Sequence, residues 1–146
     1  MAITSAVCNS FKQEILEAEH NFTASSGNTF NLALYDSGAD LSKTTTAYTS
    51  SEEITNTSGS AYSAKGNALT SVTPVLDSDT AVCDFANTSW TSASFTARGC
   101  LIFNDSHSSD AAVCAIDFGG DKTVTSGTFT VEFPAAAAST AIIQIA

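Results

Sequence analysis

From Ser92 to Ala146 the chain reads SASFTARGCLIFNDSHSSDAAVCAIDFGGDKTVTSGTFTVEFPAAAASTAIIQIA. Four apolar, partly alternating runs lie in it: SFTARGCLIF, AAVCAIDF, GTFTVEF and TAIIQIA. They are rich in Phe, Val, Ile and Thr and are mostly separated by Gly, Asp, Asn and Ser, which is how half-buried strands are written. Gly119-Gly120 follows one such run and precedes another, so it reads as a turn in which glycine permits positive φ. It has no helix after it, as a phosphate loop would require.

Upstream, FNLALYD predicts a strand, with Phe30, Leu32 and Leu34 on one face and Ala33 and Tyr35 on the other. ALTSVTPV, TAVCDFA and TSWTSASF read as further short strands, with turns at DSD and AN. The stretch from Asp36 to Asn67 holds little core material, with short strands conceivable at Ala47–Thr49 and Ser60–Ser63. A loop of that length is expected to be functional, exposed or pinned by a partner. Only the N-terminus has helical spacing. Val7, Phe11, Ile15 and Ala18 recur on one face from Thr4 to His20, with Cys8 and Leu16 widening the stripe and Lys12, Glu14, Glu17 and Glu19 opposite. Thr4 or Ser5 would cap it and Asn21 would stop it. The expected organisation is a helix over residues 1–22 and one β-rich domain over 23–146. With eight or nine strands and no β-α alternation, that domain is a β-sandwich or jelly roll.

Fifteen carboxylates stand against Lys12, Lys43, Lys65, Arg98 and Lys122, a net charge of −10. Nucleic acid and anionic membrane surfaces are therefore not expected partners, because both need clustered cations. No segment approaches the about 20 apolar residues of a membrane span. No basic, then apolar, leader opens the chain, so no signal peptide is expected. The sequons at Asn21, Asn56, Asn87 and Asn104 then carry no glycosylation message. Cys8, Cys83, Cys100 and Cys114 lack Cys-x-x-Cys spacing, which argues against zinc. Three of them lie in apolar runs and read as small buried hydrophobes, a disulfide being the alternative.

Chemistry has few carriers. His20 closes the helical stretch, where a cation would favour the dipole. His107 lies in NDSHSSD, whose Asp105, His107 and Asp110 could hold a cation and whose Ser106 could be imagined as a nucleophile. No Gly-x-Ser-x-Gly elbow is present, and a solvated turn is the better reading. Asp36-Ser-Gly-Ala-Asp40 and Asp77-Ser-Asp79 offer loop oxygens without a full calcium pattern. A glycosidase would need two carboxylates facing across a groove, with Glu52, Glu53, Asp77 and Asp79 the candidates. Trp90 reads as core. Tyr48 and Tyr62 would be the aromatic patch of a carbohydrate-binding module. No catalytic, cofactor-binding or metal residue is assigned. The interface hypothesis falls on Val7, Phe11, Ile15 and Leu16, because a short amphipathic helix needs a surface on which to bury its stripe.

Five stretches, SAVCNSFKQEIL, FNLALYDSGADLSKTTTAYT, SWTSASFTARGCLIFN, AIDFGGDKTVTSGTFTVEFP and AIIQIA, together resemble small virion structural proteins of tailed bacteriophages of the marine and cyanobacterial type. The resemblance implies a non-enzymatic particle component without cofactor, present in many copies in a virion assembled in the host cytoplasm. Its partners would be the major capsid protein or other virion proteins. A capsid decoration, or cement, protein is the first expectation, and a tail- or fibre-associated subunit or a host-surface carbohydrate-binding module the alternative. The chain would be a homo-oligomer, a trimer on the local three-fold positions of an icosahedral shell.

Overall fold

A computed structural model describes residues 2–54 and 60–146; the sequon at Asn56 lies outside them. Among these residues the elements run β1 (Ala6–Val7), α1 (Asn9–Leu16), β2 (Phe30–Tyr35), β3 (Asn67–Ala68), β4 (Ser71–Asp77), β5 (Thr80–Phe85), β6 (Thr88–Asn104), β7 (Ala111–Val131) and β8 (Ile143–Ile145). They form two antiparallel sheets, one in the order β1-β7-β6-β2-β3 and one in the order β4-β5-β8. The protein is mainly β, a sandwich-like arrangement with one short N-terminal helix.

β2 lies in the larger sheet between β6 and the short edge strand β3. Its alternating faces are as read from the sequence, but all six residues are buried. Phe22 stacks on Phe30 at 4.2 Å, and Phe85 from β5 closes on both rings, which joins the two sheets. The other side is covered by the stretch after β2, contrary to its expected poverty in core. Ala39, Leu41, Ile54 and Tyr62 are all buried. This stretch crosses the sheets through single bridges, Ile3 to Leu41, Tyr35 to Glu53 and Ala47 to Ala111, rather than through strands. At its end Gly66 has φ +64°, and a Cβ there would lie 1.9 Å from the Leu32 carbonyl oxygen. Only glycine fits so close to a neighbouring backbone.

The four C-terminal runs do not make four strands. TSWTSASF and SFTARGCLIF are one strand, β6, and AAVCAIDF and GTFTV are one strand, β7. Gly119-Gly120 is not a turn between strands but part of a bulge within β7. Ala97 pairs with Lys122 and Gly99 with Asp117, so Arg98 alone faces Phe118 to Asp121. Arg98 Nε donates to Asp117 Oδ1 at 2.9 Å, and the same oxygen accepts the Gly119 amide. Gly119 has φ +80° with open space where a Cβ would be, so its backbone angle is what calls for glycine there. The turns at DSD and AN fall where the sequence places them, between β4 and β5 and between β5 and β6.

The helix is shorter than its periodicity suggests. Thr4 and Ser5 do not cap it; Cys8 occupies the N-cap without a side-chain capping bond. Val7 belongs to β1, opposite Cys114. At the other end the Glu19 amide donates to Glu14 O and the Ala18 amide to Ile15 O, with Ala18 at φ +61°. That is a Schellman closure with alanine in the left-handed position glycine usually takes. The helix therefore ends at Leu16, well before Asn21. Residues 1–22 are not a separate helical unit: β1 is an edge strand of the larger sheet, and α1 packs on the same core.

Candidate functional site

The interface residues are divided by this architecture. Phe11 is buried, 5.0 Å from the His20 ring and 5.9 Å from Phe22. Val7 and Ile15 are half-buried against the same core. Leu16 alone is presented to solvent, 88% exposed. The apolar stripe is thus spent largely within the domain, and docking through the helix falls to one side chain.

His20 is not at the helix end, which falls at Leu16. It lies beyond the helix with its side chain fully buried. Asn104 Nδ2 donates to His20 Nδ1 at 3.0 Å, and Asn104 Oδ1 accepts the Ser106 amide, which sets the orientation of the amide. His20 Nε2 therefore carries the proton and donates to Glu14 Oε2 at 2.7 Å. The ring is a latch between α1 and the end of β6. His107 lies 6.2 Å from it, stacked, with Nε2 3.4 Å from Glu19 Oε2. Asp105 and Asp110, the other members of the imagined cation site, both take Lys65 Nζ at 2.9 Å. Ser106 Oγ accepts the Thr29 amide, and His107 Nδ1 pairs with Ser109 instead. Among the described residues, no three His, Cys, Asp or Glu side chains converge as metal ligands.

Glu52 and Glu53 do line a groove, of about 480 Å³, with Asp36, Ser50, Ser94 and Phe95. Asp77 and Asp79 lie elsewhere, in the β4–β5 hairpin. The chemistry of the groove is decided by Glu53, which is buried. Its Oε1 accepts the Tyr62 hydroxyl and the Lys65 amide, each at 2.7 Å, and its Oε2 accepts the Tyr48 hydroxyl at 2.5 Å. Tyr62 Oη in turn accepts the Leu34 amide at 2.9 Å. Burial and the Glu53 carboxylate push the Tyr48 phenol up to about 12 and that of Tyr62 well above the ordinary tyrosine range. A buried carboxylate that accepts from three donors ties Tyr48, Tyr62 and the Lys65 amide together around Glu53. The same network removes the aromatic patch, since Tyr62 is fully buried and Tyr48 half-buried against Phe103. No spacing in the sequence announces this staple, because its members lie 5, 9 and 12 residues apart on non-repetitive backbone.

All four cysteines are free and buried. Burial pushes the thiols of Cys83 and Cys114 up to about 12 and that of Cys8 to about 11. Trp90 is core, packed on Tyr62, Phe95 and Phe129.

What the described surface does offer is apolar area. A cleft of about 500 Å³ lies along the second half of β7, walled by Ile116, Phe118, Phe129, Phe133 and Ile142, with Lys122 and Glu132 among its lining. Val72, Val75 and Leu76 on β4 and Ile145 on β8 are exposed. Leu76, Ala81 and Ile145 stand opposite one another across the small sheet, so its apolar face runs out into solvent. Comparison with protein-family models, with curated proteins and with solved structures finds no match.

Proposed function

We propose that this chain is a non-enzymatic structural subunit of a bacteriophage particle, a capsid decoration protein in the first instance. The observation that carries the non-catalytic part is the commitment of Glu53 to three internal donors, in a groove where two candidate carboxylates meet. The polar residues that sequence singles out, His20, Asp105, Asp110 and Glu53, are occupied in joining parts of the fold. Exposed apolar strand surface and an acidic exterior suit a subunit that stays soluble alone and packs against other proteins in an assembly. Attachment to a phage head rests on the resemblance of the five sequence stretches. An acidic subunit also suits the outside of a shell better than its DNA-facing side, where carboxylates and phosphates repel.

Electron microscopy of purified particles labelled with an antibody against this chain tests the reading. Label over the head supports decoration, and label at the tail or fibres selects the alternative subunit. Purified particles without label overturn the virion reading in both forms.

A further inference from the structure

We propose that the apolar row of Leu76, Ala81 and Ile145 on the small sheet is the surface by which this chain docks on a different protein of the particle. That partner presents apolar side chains flanked by Lys or Arg.

The row is core-type surface that the fold leaves without a cover. Side chains two residues apart on a strand share a face. Ala81 shares its face of β5 with Cys83 and Phe85, and Ile145 shares its face of β8 with Ile143. Cys83, Phe85 and Ile143 are all buried in the core. Leu76 pairs with Ala81 and Ala81 with Ile145, so the row continues that face toward the β4–β5 turn. There Leu76 is 73% and Ile145 58% exposed. Val72 and Val75, also on β4, are exposed as well. Among the described residues, four of the five exposed large apolar side chains thus lie on this three-stranded sheet, and the fifth, Leu16, stands on α1. Single exposed apolar side chains are ordinary, whereas a contiguous group of them is characteristic of a contact site.

Charge selects the occupant. From Ser71 to Phe85, and again in β8, the chain holds Asp77, Asp79 and Asp84 but no Lys or Arg. Asp84 is buried, which leaves Asp77 and the exposed Asp79 beside the row. Asp77 Oδ2 accepts the Ala138 amide, so that carboxylate is fixed at the turn. All five cations lie elsewhere, on α1, in the stretch after β2 and on the larger sheet. A second copy docked through the same row about a two-fold axis would set its own Asp77 and Asp79 against these. Both chains carry −10, and the small sheet has no cation to offset the repulsion. A partner with Lys or Arg around its apolar side chains gains where a second copy loses. The assignment rests on the particle reading, which supplies the neighbouring protein, and it puts the contact on the small sheet rather than on α1.

The full chain and its variants, added to particles assembled without it, test the assignment by co-sedimentation. Leu76→Asp should weaken binding about tenfold or more with an unchanged melting temperature, because the side chain is buried only in the contact. Leu16→Asp should bind as the wild type does. Asp79→Lys should weaken binding about threefold or more against a basic partner. Tighter binding by Asp79→Lys would mean an acidic neighbour, as a second copy is, and would overturn the proposal. A photoreactive amino acid in place of Leu76, irradiated on the particle, should attach to a different virion protein at a segment that contains Lys or Arg. Attachment to a second copy, or no attachment, overturns the proposal. The two levels of failure are separable. Wild-type chain that does not bind particles removes the particle reading and this assignment with it. Wild type that binds, with Leu76→Asp binding equally well, removes the docking surface alone.

Discussion

Asp84 is the residue whose burial is least compensated. It is 1% exposed on β5, its Oδ2 has no hydrogen-bond partner among the described residues, and Oδ1 accepts the adjacent Phe85 amide. Burial raises its carboxyl pKa above the ordinary value, opposed in part by the Phe85 and Ile142 amides. The folded state therefore holds this proton to higher pH than the unfolded state. The penalty is absent well below the unfolded value of about 3.9. It grows as pH rises from there through the raised folded value, and is fully present above it. Asp84→Asn should stabilise the fold at neutral pH by about 1–3 kcal/mol. The gain should shrink as the pH of the melt is lowered toward 4, and a gain independent of pH would refute the assignment. Glu53 is the opposite case. Glu53→Ala strands two tyrosine hydroxyls and the Lys65 amide, and should cost about 3 kcal/mol or more in denaturant unfolding. Glu53→Gln, which keeps one acceptor oxygen, should cost less.

At the scale of elements, α1 and the β7 bulge show where local reading stops. Val7, Phe11 and Ile15 fit helical spacing, yet Val7 is a strand residue and the helix closes on Ala18 at φ +61°. Glycine is the usual signal for such a closure, and alanine there gives none. Ala18→Gly should therefore raise stability by about 1 kcal/mol, read as a higher melting temperature. Phe11→Ala should cost about 3–5 kcal/mol, because Phe11 fills a pocket against His20 and Phe22. Leu16→Asp should stay within about 0.5 kcal/mol, while any assembly that docks through this helix would lose affinity. The Gly119-Gly120 pair was legible as a place of positive φ. Whether such a place reverses the chain or swells a strand depends on the partner across the ladder. Here Arg98 and Asp117 hold the strand together, so it bulges.

Across the whole molecule, the four thiols report on how the core closes. All are buried, and desolvation keeps each protonated at neutral pH. A thiol reagent should label none of them in the native protein and all four on unfolding, in a single transition. Labelling of Cys83 alone would instead show that the small sheet opens independently. The two sheets meet through Phe85, Phe22 and Phe30 from three separate parts of the chain. Opening that junction should therefore be part of global unfolding.

Sequence by itself determined the β class, the strand FNLALY, the hairpin turns at DSD and AN, the burial of Trp90, Cys83, Cys100 and Cys114, and the sparseness of basic residues. Each of these is a local pattern: alternation, turn chemistry, or the cost of leaving an apolar side chain in water. Tertiary structure alone decided the rest. Ala39, Leu41, Ile54 and Tyr62 enter the core singly, without a period that sequence could show. Glu53 became a staple because Tyr48, Tyr62 and the Lys65 amide converge on it from non-repetitive backbone. His20 became a latch because Asn104, far along the chain, supplies the donor for its Nδ1. Among the described residues, the outer edge of the second half of β7 is uncovered because β1 is only two residues long. Long-range pairing is the common reason. A hydrogen bond between residues many positions apart leaves no periodic trace, and its presence is settled only when the sheets have formed.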